Sequence, residues 1–210
     1  MSVLLVLLAF AGAQGGETSG DEVPVFFSYE LAIGGLVFYA ILAGTAWLVA
    51  ARAYGTAREA LGLRSFPPGY VWAALGVVVG SLVLSVALEP LLHAGEEQGL
   101  LPDDWVHGRT PAFVLNAFVV GLVGPFSEEL FYRGLGVRAL GFAGAATAIV
   151  GTSLVFALSH GLFVAIPALG AFALGLGWLR WRTQSVWPGV IAHAAYNTVG
   201  VLVTLAVLLG

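Results

Sequence analysis

The residues of this chain equipped for chemistry are Glu128, Glu129, Arg133, His160, His193 and Asn197. They fall into three short pieces: Glu128-Glu129-x-x-x-Arg133, Phe156-x-x-x-His160 and His193-x-x-x-Asn197. Residues four apart share one face of a helix. Each piece lies in or against an apolar stretch long enough to cross a bilayer. Ionisable groups are expensive there, and their default reading is functional. Two carboxylates, two imidazoles and an amide in such a setting suit hydrolysis.

Adjacent helical residues point about 100° apart, so the two glutamates have different tasks. Glu129 stands four before Arg133, the favourable order for a same-face ion pair. In a low dielectric such a pair keeps both charges compensated. Glu128 then faces elsewhere, with Tyr132 one turn along its own face, and is the candidate general base for a water molecule. The bland alternative is a structural ion-pair knot, for which a single acid would suffice. Gly124-Pro125 predicts either a kink or a helix restart that opens space beside Glu128. Phe156 can wedge the His160 imidazole or touch an apolar substrate. His193 and Asn197 can both donate to a developing oxyanion, or serve as hydrogen-bonding glue between membrane helices.

The elements that must hold these residues are helical and greasy. Of 210 residues, 59% are hydrophobic and 10% charged, against about 25% charged in a soluble domain. The expected fold is all-α, a polytopic transmembrane bundle. Spans are predicted at about 28–51, 69–92, 111–137, 143–160, 162–181 and 185–209. Residues 28–210 form a single membrane domain by size. Residues 1–13 are apolar but too short for a comfortable span, and read equally as a signal peptide or a short retained helix. An acidic segment follows up to residue 27.

The eight basic residues are all arginine. Arg52, Arg58 and Arg64 fall between spans one and two, Arg138 between three and four, and Arg180 and Arg182 between five and six. These alternate loops are expected in the cytoplasm. Glu96, Glu97, Asp103 and Asp104 fall on the other side, with Arg109 the exception. The many Ala, Gly, Val, Leu and Arg residues, with no Lys, point to a GC-rich genome; the expected location is the plasma membrane of a prokaryote. Thr56–Leu63 reads as a short amphipathic helix or a plain loop, ended by Phe66-Pro67-Pro68. No basic patch favours nucleic acid. With no cysteine, disulfides, thiolate nucleophiles and Cys-type zinc sites are excluded.

The three pieces, in this order, resemble the CPBP (CAAX protease and bacteriocin-processing) family of intramembrane glutamic endopeptidases. The string Ser127-Glu128-Glu129-Leu130-Phe131-Tyr132-Arg133-Gly134 is especially typical, and the resemblance spans about residues 111–205. It implies a metal-free peptidase without cofactor. Glu128 would activate water, helped by His160. His193 and Asn197 would stabilise the oxyanion. Glu129 and Arg133 would support Glu128, with Phe156 and Tyr132 beside them. The implied partners are the lipid bilayer and a membrane-associated protein or peptide, cut near its C-terminus.

Three other readings compete. Glu128, His160 and His193 are also a ligand set that suits a catalytic zinc ion, although no His-Glu-x-x-His spacing is present. Intramembrane Glu and His mark proton-coupled transporters. A bacteriocin-immunity protein could bind without cutting. The helix boundaries also carry a conflict. Counted from the cytoplasmic ends of their spans, Glu128 lies roughly 15 Å deep and His160 roughly 27 Å deep. The chemistry needs them level, through tilt, a fourth span that starts beyond the surface, or different boundaries.

Overall fold

The computed structural model describes residues 23–94 and 104–209. Residues 1–13, the acids Glu17, Asp21 and Glu22, and Glu96, Glu97 and Asp103 lie outside the described residues. Within them the chain is all helical, as expected, with no strand. Seven helices follow in order: α1 Tyr29–Tyr54, α2 Ala57–Ala60, α3 Tyr70–Leu92, α4 Thr110–Ala143, α5 Ala145–Ser159, α6 Ile166–Thr183 and α7 Trp187–Leu209.

Local sequence sets the boundaries. The Ser28 side chain accepts the Leu31 N–H at 3.1 Å and starts α1, the usual work of an N-cap serine. Gly55, at φ 82°, ends it. Pro111 and Pro188 sit in the first turns of α4 and α7, where a missing N–H costs nothing.

Four helices, α1, α3, α4 and α7, are long and apolar enough to cross a membrane. The fourth predicted span is not among them: α5 has 15 residues, about 22 Å against a hydrocarbon core of about 30 Å. The fifth, α6, has 18 residues and carries Arg180 and Arg182 in its last turn.

The conflict over depth disappears with the boundaries. Helix α4 runs to Ala143, not to residue 137, and α5 starts at Ala145. Fifteen residues separate Glu128 from Ala143, and fifteen separate Ala145 from His160. Both residues thus stand the same number of residues from the shared turn. A hydrogen bond from the Tyr132 hydroxyl to Ser159 Oγ at 2.8 Å fixes this level.

Helix α6 packs between α5 and α3, α3 packs on α7, and α1 lies along α4. One core joins Ala74 and Val78 of α3 to Phe172, Leu176 and Leu179 of α6 and Ala192 of α7. A second joins Ala46 and Ala50 of α1 to Leu130 of α4, Val186 and the turn at residues 57–61. The Thr56–Leu63 stretch therefore contains one helical turn plugged into the bundle end by Ala57, Ala60 and Leu61. Large apolar side chains such as Trp72, Val83, Val86 and Ile41 face outward. An exterior of this kind calls for an apolar surrounding.

Asn116 ties the entry of α1 to α4. The two hydrogens of its buried Nδ2 are shared among the carbonyls of Phe26 at 2.9 Å, Ser28 at 2.8 Å and Ala112 at 3.1 Å. Asn116→Leu keeps the volume and strands these acceptors, a loss of about 1–3 kcal/mol. The expected outcome is a lower melting temperature of the purified protein in detergent. An unchanged melt would show that these bonds do not hold the N-terminal segment.

Candidate active site

Helix α4 is not uniform. A wide π turn occupies Val119–Val123, an α turn Gly124–Glu128, and a second π stretch Glu129–Gly136. The first π turn answers the Gly124-Pro125 prediction: the helix neither restarts nor breaks but widens just before the proline. Pi turns of this kind gather at functional sites. The widening leaves one carbonyl short. The Gly124 N–H bonds Val119 O, and Pro125, next in that register, has no N–H. Asn197 of α7 supplies the missing donor, its Nδ2 lying 2.9 Å from Val120 O. That bond uses one of the two amide hydrogens of Asn197.

Below this turn the two glutamates diverge as expected. Glu129 is fully buried, and its Oε1 lies 3.2 Å from Arg133 Nη1. The same Oε1 lies 3.2 Å from His193 Nδ1. The predicted Glu129–Arg133 pair is present, and it is also the anchor of an imidazole on another helix. With Nδ1–H donating to Glu129, His193 turns its Nε2 toward Glu128, 3.8 Å from Oε2. That separation exceeds a hydrogen bond.

Arg133 is fully buried as well. Its Nη2 donates to Ala173 O at 3.2 Å, and its guanidinium carbon stands 4.3 Å from the Phe156 ring centre. Cation–π contact of this kind strengthens when desolvated. Phe156 also touches both imidazoles, with ring centres 4.5 Å from His160 and 5.6 Å from His193. The Tyr132 ring meets it edge-on at 5.3 Å. Phe156 is itself buried, with its ring packed among these groups. His160 caps α5, and its Nδ1 lies 2.7 Å from Phe156 O. A carbonyl only accepts, so Nδ1 carries the hydrogen and Nε2 is left as the acceptor of the neutral ring.

The fold thus brings Glu128, Glu129, Tyr132, Arg133, Phe156, His160 and His193 into one connected cluster. Asn197 sits one turn along α7, on the π turn. Among the described residues, no three His, Asp or Glu side chains converge as metal ligands would.

Three participants escape sequence reasoning. Phe172 of α6 meets His193 edge-on at 5.4 Å and stacks on Tyr196 at 4.5 Å. The Ala173 carbonyl carries no side-chain signal at all. Gly189 does carry one, since it stands four before His193 on the same face of α7. A Cβ built there would come within 2.5 Å of Glu129 Oε2, so any side chain would push the carboxylate from its present position.

Residues 110–199 match the family model described as type II CAAX prenyl endopeptidase Rce1-like. The match covers all three sequence pieces and bears out the resemblance drawn from them. No curated protein and no solved structure matches the chain. With four apolar spanning helices and a domain of this kind, the protein is an integral membrane protein.

Removing one partner of a buried ion pair costs about 3–5 kcal/mol, because the other charge is left uncompensated. Arg133→Met is expected to lower thermal stability by that order. Arg133→Met combined with Glu129→Gln is expected to recover part of the loss. A double variant less stable than the single one would mean that Glu129 and Arg133 do not act as a pair.

Proposed function

We propose that the protein is a CAAX-type intramembrane endopeptidase of glutamate type. It cleaves a peptide bond near the C-terminus of a lipidated or membrane-associated chain, without a metal ion. The observation that carries this reading is the alignment of His193 between two buried carboxylates, Glu129 at 3.2 Å and Glu128 at 3.8 Å. The Rce1-like domain supports the protease class.

In this mechanism Glu128 removes a proton from a water molecule, and the resulting hydroxide attacks the peptide carbonyl. The 3.8 Å gap between Glu128 and His193 Nε2 suits a water that contacts both groups from the side. His160, whose Nδ1 is committed to Phe156 O, offers Nε2 as a second acceptor for the same water. Glu129 fixes the tautomer and orientation of His193, as an acid behind a catalytic imidazole does. Held at Nδ1 by Glu129, His193 directs Nε2–H at the oxyanion. The second hydrogen of the Asn197 amide is the other oxyanion donor. Glu128 then returns its proton to the leaving amine. Arg133 neutralises Glu129 and leaves Glu128 as the reactive acid.

Removing a general base typically slows reaction by about 10²–10⁴-fold. Glu128→Gln is expected to lose cleavage by that order with an unchanged melting temperature. The assay is hydrolysis of a membrane-reconstituted peptide ending in a lipidated cysteine and three further residues. Cleavage by the wild type should survive metal-free preparation and chelator. Full activity of Glu128→Gln would refute the assignment of the base, and chelator-abolished activity would refute metal-free catalysis.

A further inference from the structure

A second polar cluster, separate from the glutamates, lies where α1 and α6 end. A half-open cavity of about 240 Å³ is lined there by Tyr54, Glu59, Arg64, Arg138, Arg180 and Gln184, with Thr56 and Ala60 beside them. Arg180 is its buried member, 4% exposed. Its Nε donates to Arg133 O at 3.0 Å, while its Nη1 is buried and has no partner. An unsatisfied buried guanidinium nitrogen is costly.

The neighbours make the deficit larger. Arg64 and Arg138 are exposed at the rim, and their charges oppose that of Arg180. The Arg138 guanidinium lies over the Tyr54 ring at 4.9 Å, and Arg64 Nη2 reaches the Glu59 carbonyl at 3.5 Å. The one acid at the cavity, Glu59, accepts from Thr56 Oγ1 at 3.1 Å. Among the described residues no carboxylate lies within 4 Å of any of the three guanidiniums. Three arginines against one glutamate leave a formal charge of +2.

The backbone makes room for this arrangement. Gly62, at φ +73°, faces the Arg180 guanidinium, and a Cβ there would stand 2.9 Å from its Cζ and Nη2. The left-handed turn and the missing side chain together admit Arg180 to the cavity floor.

Planar guanidinium forks match the oxygens of a phosphate group. The location fits as well. Tyr54, Tyr70, Trp181 and Trp187 all stand at this end of the helices, and Tyr and Trp gather at headgroup level. We propose that this cavity is a phosphate-binding site, filled by the headgroup of an anionic phospholipid or by free phosphate. The Arg180–Arg133 backbone bond sets the site against the helix that carries the glutamates.

The test uses the full chain purified in detergent, with dioleoyl phosphatidylglycerol and inorganic phosphate as probes. Oleate, an anionic lipid without phosphate, is the control, and native mass spectrometry is the readout. Arg64→Ala/Arg138→Ala alters only exposed side chains and preserves the fold if Arg180 cannot be changed. The wild type should retain phosphatidylglycerol about tenfold better than the double variant, and oleate weakly and equally in both. Displacement by millimolar inorganic phosphate assigns the site to free phosphate, and retention against it assigns the site to the lipid headgroup. Equal binding of both phosphate probes to wild type and variant overturns the proposal. Oleate binding as tight and as arginine-dependent as that of phosphatidylglycerol overturns it too.

Discussion

A guanidinium with no access to water must be neutralised where it stands, and the centre of this bundle is organised around that requirement. Arg133 sits on α4 with Glu129 one turn before it. It meets the Phe156 ring of α5 and the Ala173 carbonyl of α6. Glu129 in turn holds His193 of α7. One buried charge thereby gathers four helices. Apolar packing alone would permit these helices to slide, whereas directional bonds to a buried charge do not. The same pair divides the labour of two adjacent acids, since the neutralised one orients an imidazole and the other stays uncommitted.

Helix α4 accommodates this arrangement by widening. A proline in mid-helix ordinarily breaks the helix or kinks it. Here the π turn at Val119–Val123 absorbs Pro125. The carbonyl it strands is satisfied by Asn197, from the same helix that brings His193. The amide therefore joins two elements while keeping a donor in reserve. Interhelical glue and oxyanion donor, which look like rivals for such a side chain, are compatible because a primary amide has two hydrogens.

Much of this was legible in the residues themselves. Apolar stretches located the six longer helices, with every end but that of α4 within four residues, and four-residue spacing paired Glu129 with Arg133. What escaped was information carried by no side-chain pattern. The end of α4 at Ala143 is one instance: residues 138–142 fall between the third and fourth predicted spans, yet a helical turn at Val137–Leu140 and a 3₁₀ turn at Gly141–Ala143 prolong the helix. Six residues at that boundary decided whether Glu128 and His160 stood level. The Glu129–His193 bond was hidden because the two residues are 64 apart and only the packing of α7 on α4 joins them. The Ala173 carbonyl is a backbone group, and every residue has one. Gly189 was visible as a letter, but its meaning depends on which neighbour comes close.

The shortness of α5 has a consequence for how the protein is made. The insertion machinery admits a segment to lipid according to its apolar length, and about 20 residues is the ordinary requirement. Fifteen residues fall short. Its close packing on α6 favours entry of the two together as a helical hairpin, turning at His160-Gly161. The imidazole at that corner is then drawn to its depth by a partner helix synthesised after it. Assembly of the cluster must await translation of α6 and then of α7, which brings His193. A ribosome paused before residue 187 would leave behind a chain with every glutamate in place and no means of aligning them.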